Sequence, residues 1–295
     1  MMENLRKATW ENIGTGVGTY NNNLEEILKA AHLDYKVESR PVTIEGVNGV
    51  SDRFHAVVRD SDNHVYNVAK KSYTICQNQD AFSIVNELKD DVHIVRAGET
   101  ESGMIYMIGE LPEMTVLEDK FKPHLVIQNS HTADFALKTA IVPLRVVCQN
   151  QFSIAFKEAK NTQTIRHTSQ INSAILEANI ALKSAYDYLN VFENKAHELS
   201  MKKVDVNSLV DKLFEIPPEA TSRTADRMEQ NRAEFLTMYN NSDNSNFRGT
   251  AWGVLNAATD YETHKPNTRS NEENRFISTV VYPEFTRKVM AMLSV

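Results

Sequence analysis

The sequence predicts an α+β fold. A mostly antiparallel sheet with helices on one face, built from two β-β-α-like units, is followed by a long-helix, all-α C-terminal part. Three observations carry this. The tetrapeptide Cys-Gln-Asn-Gln occurs at Cys76 and again at Cys148, each time after two apolar runs split by a polar loop and before Phe-Ser-Ile, with Asp80 and Ala81 inserted in the first copy. Short segments around the copies alternate apolar and polar residues, as half-buried strands do. From Ile171 to Leu199 the apolar residues recur instead at steps of four and three, the seam of a long helix.

In chain order, residues 23–31 (NLEEILKAA) read as a short amphipathic helix, and LDYKVESRPVTI after it turns to strand alternation. Phe54 to Thr74 forms a hairpin across the polar loop RDSDNH, feeding a helix at the first tetrapeptide. Its Asn and Gln side chains are acceptors suited to free helix N-terminal amides. Strands are expected at Val92–Gly98, Met104–Leu111, His124–Asn129 and Phe135–Val142, with turns in ETESG and ELPEMTVLEDKFKP. Pro143 is placed to open a second helix, because proline is tolerated in a first turn. Ser169 caps the long helix, which would run to Met201 over roughly 50 Å. Its seam of Ile171, Ile175, Ala178, Leu182, Ala185, Leu189, Phe192, Ala196 and Leu199 suits either an intrachain bundle or a homo-oligomer through residues 169–201. VNSLVDKLF stops at Pro217 and Pro218, and Thr221 to Asn240 is a charged helix. NNSDNSNFRG reads as an exposed loop. TAWGVLNAATDYETH carries Trp252, Leu255, Ala258 and Tyr261 at helical spacing, and an end helix follows Pro283. The division expected is a sheet domain over residues 1–168 and a helical domain over residues 169–295.

A chain of 295 residues with 41% apolar content buries a substantial core. No apolar run approaches the ~20 residues of a membrane span, and MMENLRKATWENIG lacks a signal peptide's apolar segment, so the cytoplasm is the expected location. The two cysteines lie in apolar stretches and read as buried thiols, not a disulfide.

A net charge of −7 excludes a uniformly basic surface. A local patch exists nonetheless. Between residues 135 and 170 the bases Lys138, Arg145, Lys157, Lys160 and Arg166 face the single acid Glu158, a charge of +4 that leaves −11 for the remainder. Such cations neutralise phosphates without reading sequence. Gln149 and Asn150 are placed to touch phosphate or sugar, and His167 adjoins Arg166.

Other chemistry fits less well. Gly14-Thr-Gly-Val-Gly18 has neither a preceding strand nor a following lysine, so it is no phosphate loop. The nine histidines make no zinc spacing with two isolated cysteines, although His124 and His131 flank a hairpin loop. Asp90, Asp91, Glu99, Glu101, Glu110 and Glu113 cluster in turns, where a metal-dependent nuclease would need several to converge. Cys148 with His167 is a conceivable nucleophile and base, but an apolar setting raises a thiol's pKa.

The string PLRVVCQN, then IRHTSQ, together with Trp10, Gly14, LDYKV, QNSH and TAWGVLNAATDYETH, resembles a phage/plasmid-like family catalogued only as a domain of unknown function. The resemblance covers nearly the whole chain. Thr132-Ala133 stands where the family commonly has Asp-Gly, and Gln151 where Thr often follows Cys-Gln-Asn, which puts a fixed small-ligand site there in doubt. The resemblance implies origin on a phage, prophage or plasmid in a bacterial cell, and no activity. Hairpins feeding a helix are also the outline of the single-strand annealing proteins that phages carry, an analogy of fold alone.

The expected function is therefore single-stranded nucleic-acid binding or annealing by an oligomer without cofactor or metal. Lys138, Arg145, Gln149, Asn150, Lys157, Lys160, Arg166 and His167 would hold the strand. The competitors are an interaction module for a host or phage protein, and then the nuclease. No catalytic residue is expected.

Overall fold

The computed structural model describes residues 9–43, 45–46, 49–86, 92–134, 136–155, 162–168, 185–265 and 271–293. Strands and helices follow in the order β1 (Thr15–Gly16), α1 (Leu24–Ala30), β2 (Val37–Thr43), β3 (Val50–Arg59), β4 (Val65–Lys70), α2 (Asn78–Ala81), β5 (His93–Glu99), β6 (Met104–Glu110) and β7 (Met114–Val116). Next come β8 (Asp119–Ser130), β9 (Leu137–Arg145), β10 (Asn150–Gln151) and β11 (Thr162–Ile165). The helical part holds α3 (Ala185–Met201), α4 (Val206–Leu213), α5 (Ser222–Tyr239), α6 (Ala251–His264), α7 (Glu272–Phe276) and α8 (Glu284–Met292). The fold is α+β, as expected, with every strand pairing antiparallel.

The large sheet runs β1-β5-β6-β8-β9, with β11 and β10 one after the other along the far edge of β9 and β7 folded onto the start of β8. A smaller sheet, β2-β3-β4, stands at one end. Alternation sorts the large sheet's side chains cleanly. Ile105, Met107, Leu125, Ile127, Leu137 and Ile141 enter a core that extends from Val17 to Leu293 and includes the helical layer. Met104, Tyr106, Ile108, Val126, Ala140 and Val142 point the other way, beneath Trp10, Phe276 and Val280. One face thus carries most helices, and the second is closed by the N-terminal segment and by α7 with its continuation.

Pro143 lies inside β9, not at a helix start. The register sets it opposite Pro123, and their carbonyls accept from Phe152 and Leu111, each at 2.9 Å, on the sides away from one another. The missing N–H groups therefore fall outside the rungs joining β8 to β9, which is why two prolines are tolerated in central strands. The second tetrapeptide opens no helix at that point either. Gln149 takes φ 57°, and the chain reverses so that Asn150 and Gln151 pair with Arg145 and Leu144.

Of the long seam, Leu189, Phe192, Ala196 and Leu199 are buried in the chain's own core, while Ile171 to Leu182 lie outside the described residues. This stretch of α3 packs on α6 and is not open to a second copy. Phe121, Phe152, Phe192 and Trp252 form an aromatic group between sheet and helices, with Phe152 stacked on Trp252 at 5.5 Å. Helix α6 is buried on every side and not along one stripe. Gly253 is needed there, because a Cβ would stand 2.1 Å from the Phe247 carbonyl oxygen. The segment read as an exposed loop is a 3-10 turn over Ser242–Phe247, anchored by the buried Asn244 amide on the carbonyls of Tyr239 and Gly253, each at 3.0 Å.

Candidate anion-binding pocket

The residues expected to hold phosphates separate by strand parity. Arg145 is seven positions from Lys138 on the same strand, so the two side chains leave opposite faces. Arg145 enters the helical side at 2% exposure. Its Nε and Nη2 donate to one Asp119 carboxylate oxygen at 2.9 and 2.7 Å, and Nη2 donates to the Asp243 carbonyl at 2.7 Å. A guanidinium so enclosed is a structural cation and not a phosphate ligand. Asn150 is also buried and donates to the Asn256 carbonyl. His167 is buried against Tyr73, ring on ring at 5.0 Å, and burial lowers its pKa, so it carries no charge at neutral pH. Gln149 turns back onto the Val146 carbonyl, on the rim of a different recess. Lys157 and Lys160 lie outside the described residues. Arg166 is exposed, two residues past Thr164.

Both tetrapeptides act as clamps. The Gln77 amide accepts from Val37 N–H and donates to Val37 C=O, at 3.1 and 2.8 Å, as a strand neighbour would. Asn78 joins the Leu33 carbonyl to His131. In the second copy the Cys148 carbonyl meets His264, Gln151 N–H donates to Thr263, and the Gln151 carbonyl group accepts from Thr9. Burial pushes both cysteine thiols up to about 12, which removes Cys148 as a nucleophile near neutral pH. His167 stacks on Tyr73 while Cys148 sits beside Arg145, so the imagined pair is not assembled. Gly14, at φ +63°, is pressed onto the sheet, where a Cβ would come within 2.3 Å of the Tyr106 hydroxyl. Among the described residues no three His, Cys, Asp or Glu are placed to hold a metal ion. Asp90 and Asp91 fall outside those residues.

Lys138 remains, and its surroundings form a site. Gln128, Lys138 and Thr164 lie directly opposite one another on β8, β9 and β11, a polar row on the face away from the helical core. Beside it α7 continues as a π-turn, Ile277–Val281, closed by Tyr282 N–H on the Ile277 carbonyl at 3.0 Å. Such turns widen the helix and recur at functional sites. The Lys138 ammonium donates to the Val281 carbonyl at 2.8 Å, and the Ser153 hydroxyl to the Val280 carbonyl at 2.6 Å. Cations suit the negative end of a helix.

The chain then turns at Tyr282 and Pro283, bringing Arg287 of α8 over the row. The recess measures about 360 Å³ and is lined also by Thr162, Ala136 and Ala155. Its described lining holds two cations and no acid. Burial, and then the Arg287 charge, pull the Lys138 pKa down to about 8. Tyr282 is 47% exposed at the mouth, with the Lys138 ammonium 5.5 Å from its ring centre. Neither Tyr282 nor Arg287 was legible as a partner of Lys138, since more than a hundred residues separate them. The only local signal was an aromatic-proline corner before an amphipathic end helix.

Fold and recess together define an α+β protein with a cationic recess beside the β11 edge of its large sheet. Residues 65–279, more than half of the chain, match the family model described as Domain of unknown function (DUF932), and the chain belongs to that family. No curated protein and no solved structure matches the chain. Among the described residues no helix is long and apolar enough to cross a membrane.

Proposed function

We propose that this is a nucleic-acid-associated protein of a phage, prophage or plasmid that binds single-stranded DNA through the Lys138 pocket. The convergence of Lys138 and Arg287 in a recess without an acid among its described lining carries the reading. Two like charges held together gain most from a ligand that brings negative charge. Tyr282 offers a ring for a base at the mouth, a contact that serves any sequence. Arg166 extends the cationic edge beyond β11. The binding is electrostatic and local, consistent with a chain whose total charge is −7. Annealing would bring two strands together, and any assembly of copies would use a surface other than the described part of α3.

The test is a titration of fluorescent single-stranded and duplex DNA at several salt concentrations. Three phosphate contacts, at Lys138, Arg287 and Arg166, predict a log-log slope of about −2 for single strands. Arg287→Gln should flatten it by about 0.7. A wild-type protein that binds no DNA at low salt would sink this reading.

A protein partner is the second reading, favoured by the outer face of the small sheet. Phe54 is 40% and Val68 49% exposed there, opposite Lys70 and Ala56. Phe54→Ser would abolish a partner's binding and leave the DNA titration unchanged.

A further inference from the structure

Resting on the nucleic-acid reading above, we infer that the pocket takes a terminal phosphate monoester, the phosphorylated end of a strand, in preference to a phosphodiester within it. The first argument is charge. A diester carries one negative charge and a monoester close to two at neutral pH, and the described lining presents two cations, Lys138 and Arg287, and no acid; the Glu262 carboxylate, held by the Phe285 and Thr286 amides, feels the Arg287 charge from outside that lining.

The second is the supply of donors. The Lys138 ammonium has three N–H bonds, of which one is directed to the Val281 carbonyl. The Arg287 guanidinium, the Gln128 amide and the hydroxyls of Thr162 and Thr164 share the recess with it. A monoester offers three terminal oxygens to such a set, a diester two. Arginine and lysine hydrogen bonds to ionised oxygens are roughly twice as strong as neutral ones, so the third oxygen matters.

The third is shape. The sheet row makes a floor, Ser153 and Ala155 one wall, and the Val281–Pro283 corner another. At about 360 Å³ the recess sits near the small end of ligand pockets, ~300–1,000 Å³, with room for one nucleotide and not for a run of them. A strand ending there would set its terminal base against Tyr282, which is 47% exposed.

The chemistry is shared by strand ends and free nucleotides, and the experiment separates them. The full-length protein is titrated, at one salt concentration, with a labelled single strand bearing a 5′-phosphate, a 3′-phosphate or hydroxyls at both ends, and with a mononucleotide as competitor. A phosphorylated end should improve affinity about tenfold. Arg287→Gln should erase that ratio and Arg287→Lys keep part of it, with thermal melts confirming that both variants fold. Equal affinity for phosphorylated and hydroxyl ends would overturn the inference and leave single-strand binding standing. Tight mononucleotide binding with no binding of any strand would uphold the monoester pocket and overturn the nucleic-acid reading. Binding of none of these would end both.

Discussion

Replacing Arg145 by Gln separates a structural cation from a phosphate ligand. The guanidinium makes two hydrogen bonds to Asp119 and one to the Asp243 carbonyl from a site 2% exposed, and so ties the end of the β8–β9 pair to the turn before α6. Breaking a buried ion pair costs about 3–5 kcal/mol, much of it from the charge left behind. Asp119 retains 23% of its side-chain surface, so water takes over part of its solvation and the lower figure applies. A loss of about 3 kcal/mol, at a urea slope near 3 kcal/mol per M, moves the unfolding midpoint by about 1 M. Urea unfolding followed by circular dichroism measures it. Asp119→Asn should cost less, and the double variant less than the two together, because the pair is one unit. The DNA salt slope of the folded Arg145→Gln protein should be that of wild type. Unchanged stability with a slope flattened by about 0.7 would refute the assignment and return Arg145 to the phosphate set.

Four further outcomes are expected. Cys76→Ser and Cys148→Ser should each cost about 1–2 kcal/mol through a buried hydroxyl, and a thiol reagent at pH 8 should label wild type only as it unfolds, since both thiols are pushed up to about 12. His124, whose Nε2 is 3.9 Å away, and Lys122, whose ammonium is at 2.6 Å, hold the Glu110 carboxyl down to about 2. Its contribution is present above the ordinary carboxylate range and is lost as pH falls towards 2; Glu110→Gln should flatten that part of the curve of stability against pH. Burial, chiefly, holds His131 down to about 3, so stability should also fall from pH 6.5 towards 3, and His131→Gln should lessen that fall. Leu189→Asp should cost more than about 3 kcal/mol and unfold the chain, because that part of the seam is internal; a folded, smaller species in sedimentation would instead reveal an intermolecular seam.

The strands were readable because alternation is a local property. His93–Glu99, Met104–Glu110 and the first helix, Leu24–Ala30, lie within a residue or two of the expected bounds. Burial of both cysteines followed from their apolar neighbours for the same reason. Pro143 misled because a proline's fitness in a strand depends on which side its missing N–H falls, and that is decided by a partner strand. Reading it as a helix start also hid the parity that sends Lys138 and Arg145 to opposite faces. The pocket was illegible for a further reason: Lys138 meets the Val281 carbonyl across 143 residues, and no periodicity reports such a meeting.

Enclosure of α6 by β10, α3, α5 and α8 sets a schedule for synthesis. Until Trp252 has left the ribosome, Phe121, Phe152 and Phe192 have no ring to close their cluster, although Phe121 of β8 and Phe152, just past β10, were made long before. The sheet must therefore wait with an open aromatic face for about another hundred residues, some seconds at ordinary elongation rates. During that interval a holding chaperone has its natural substrate, and a chain cut short before residue 251 should aggregate instead of yielding a separate sheet domain.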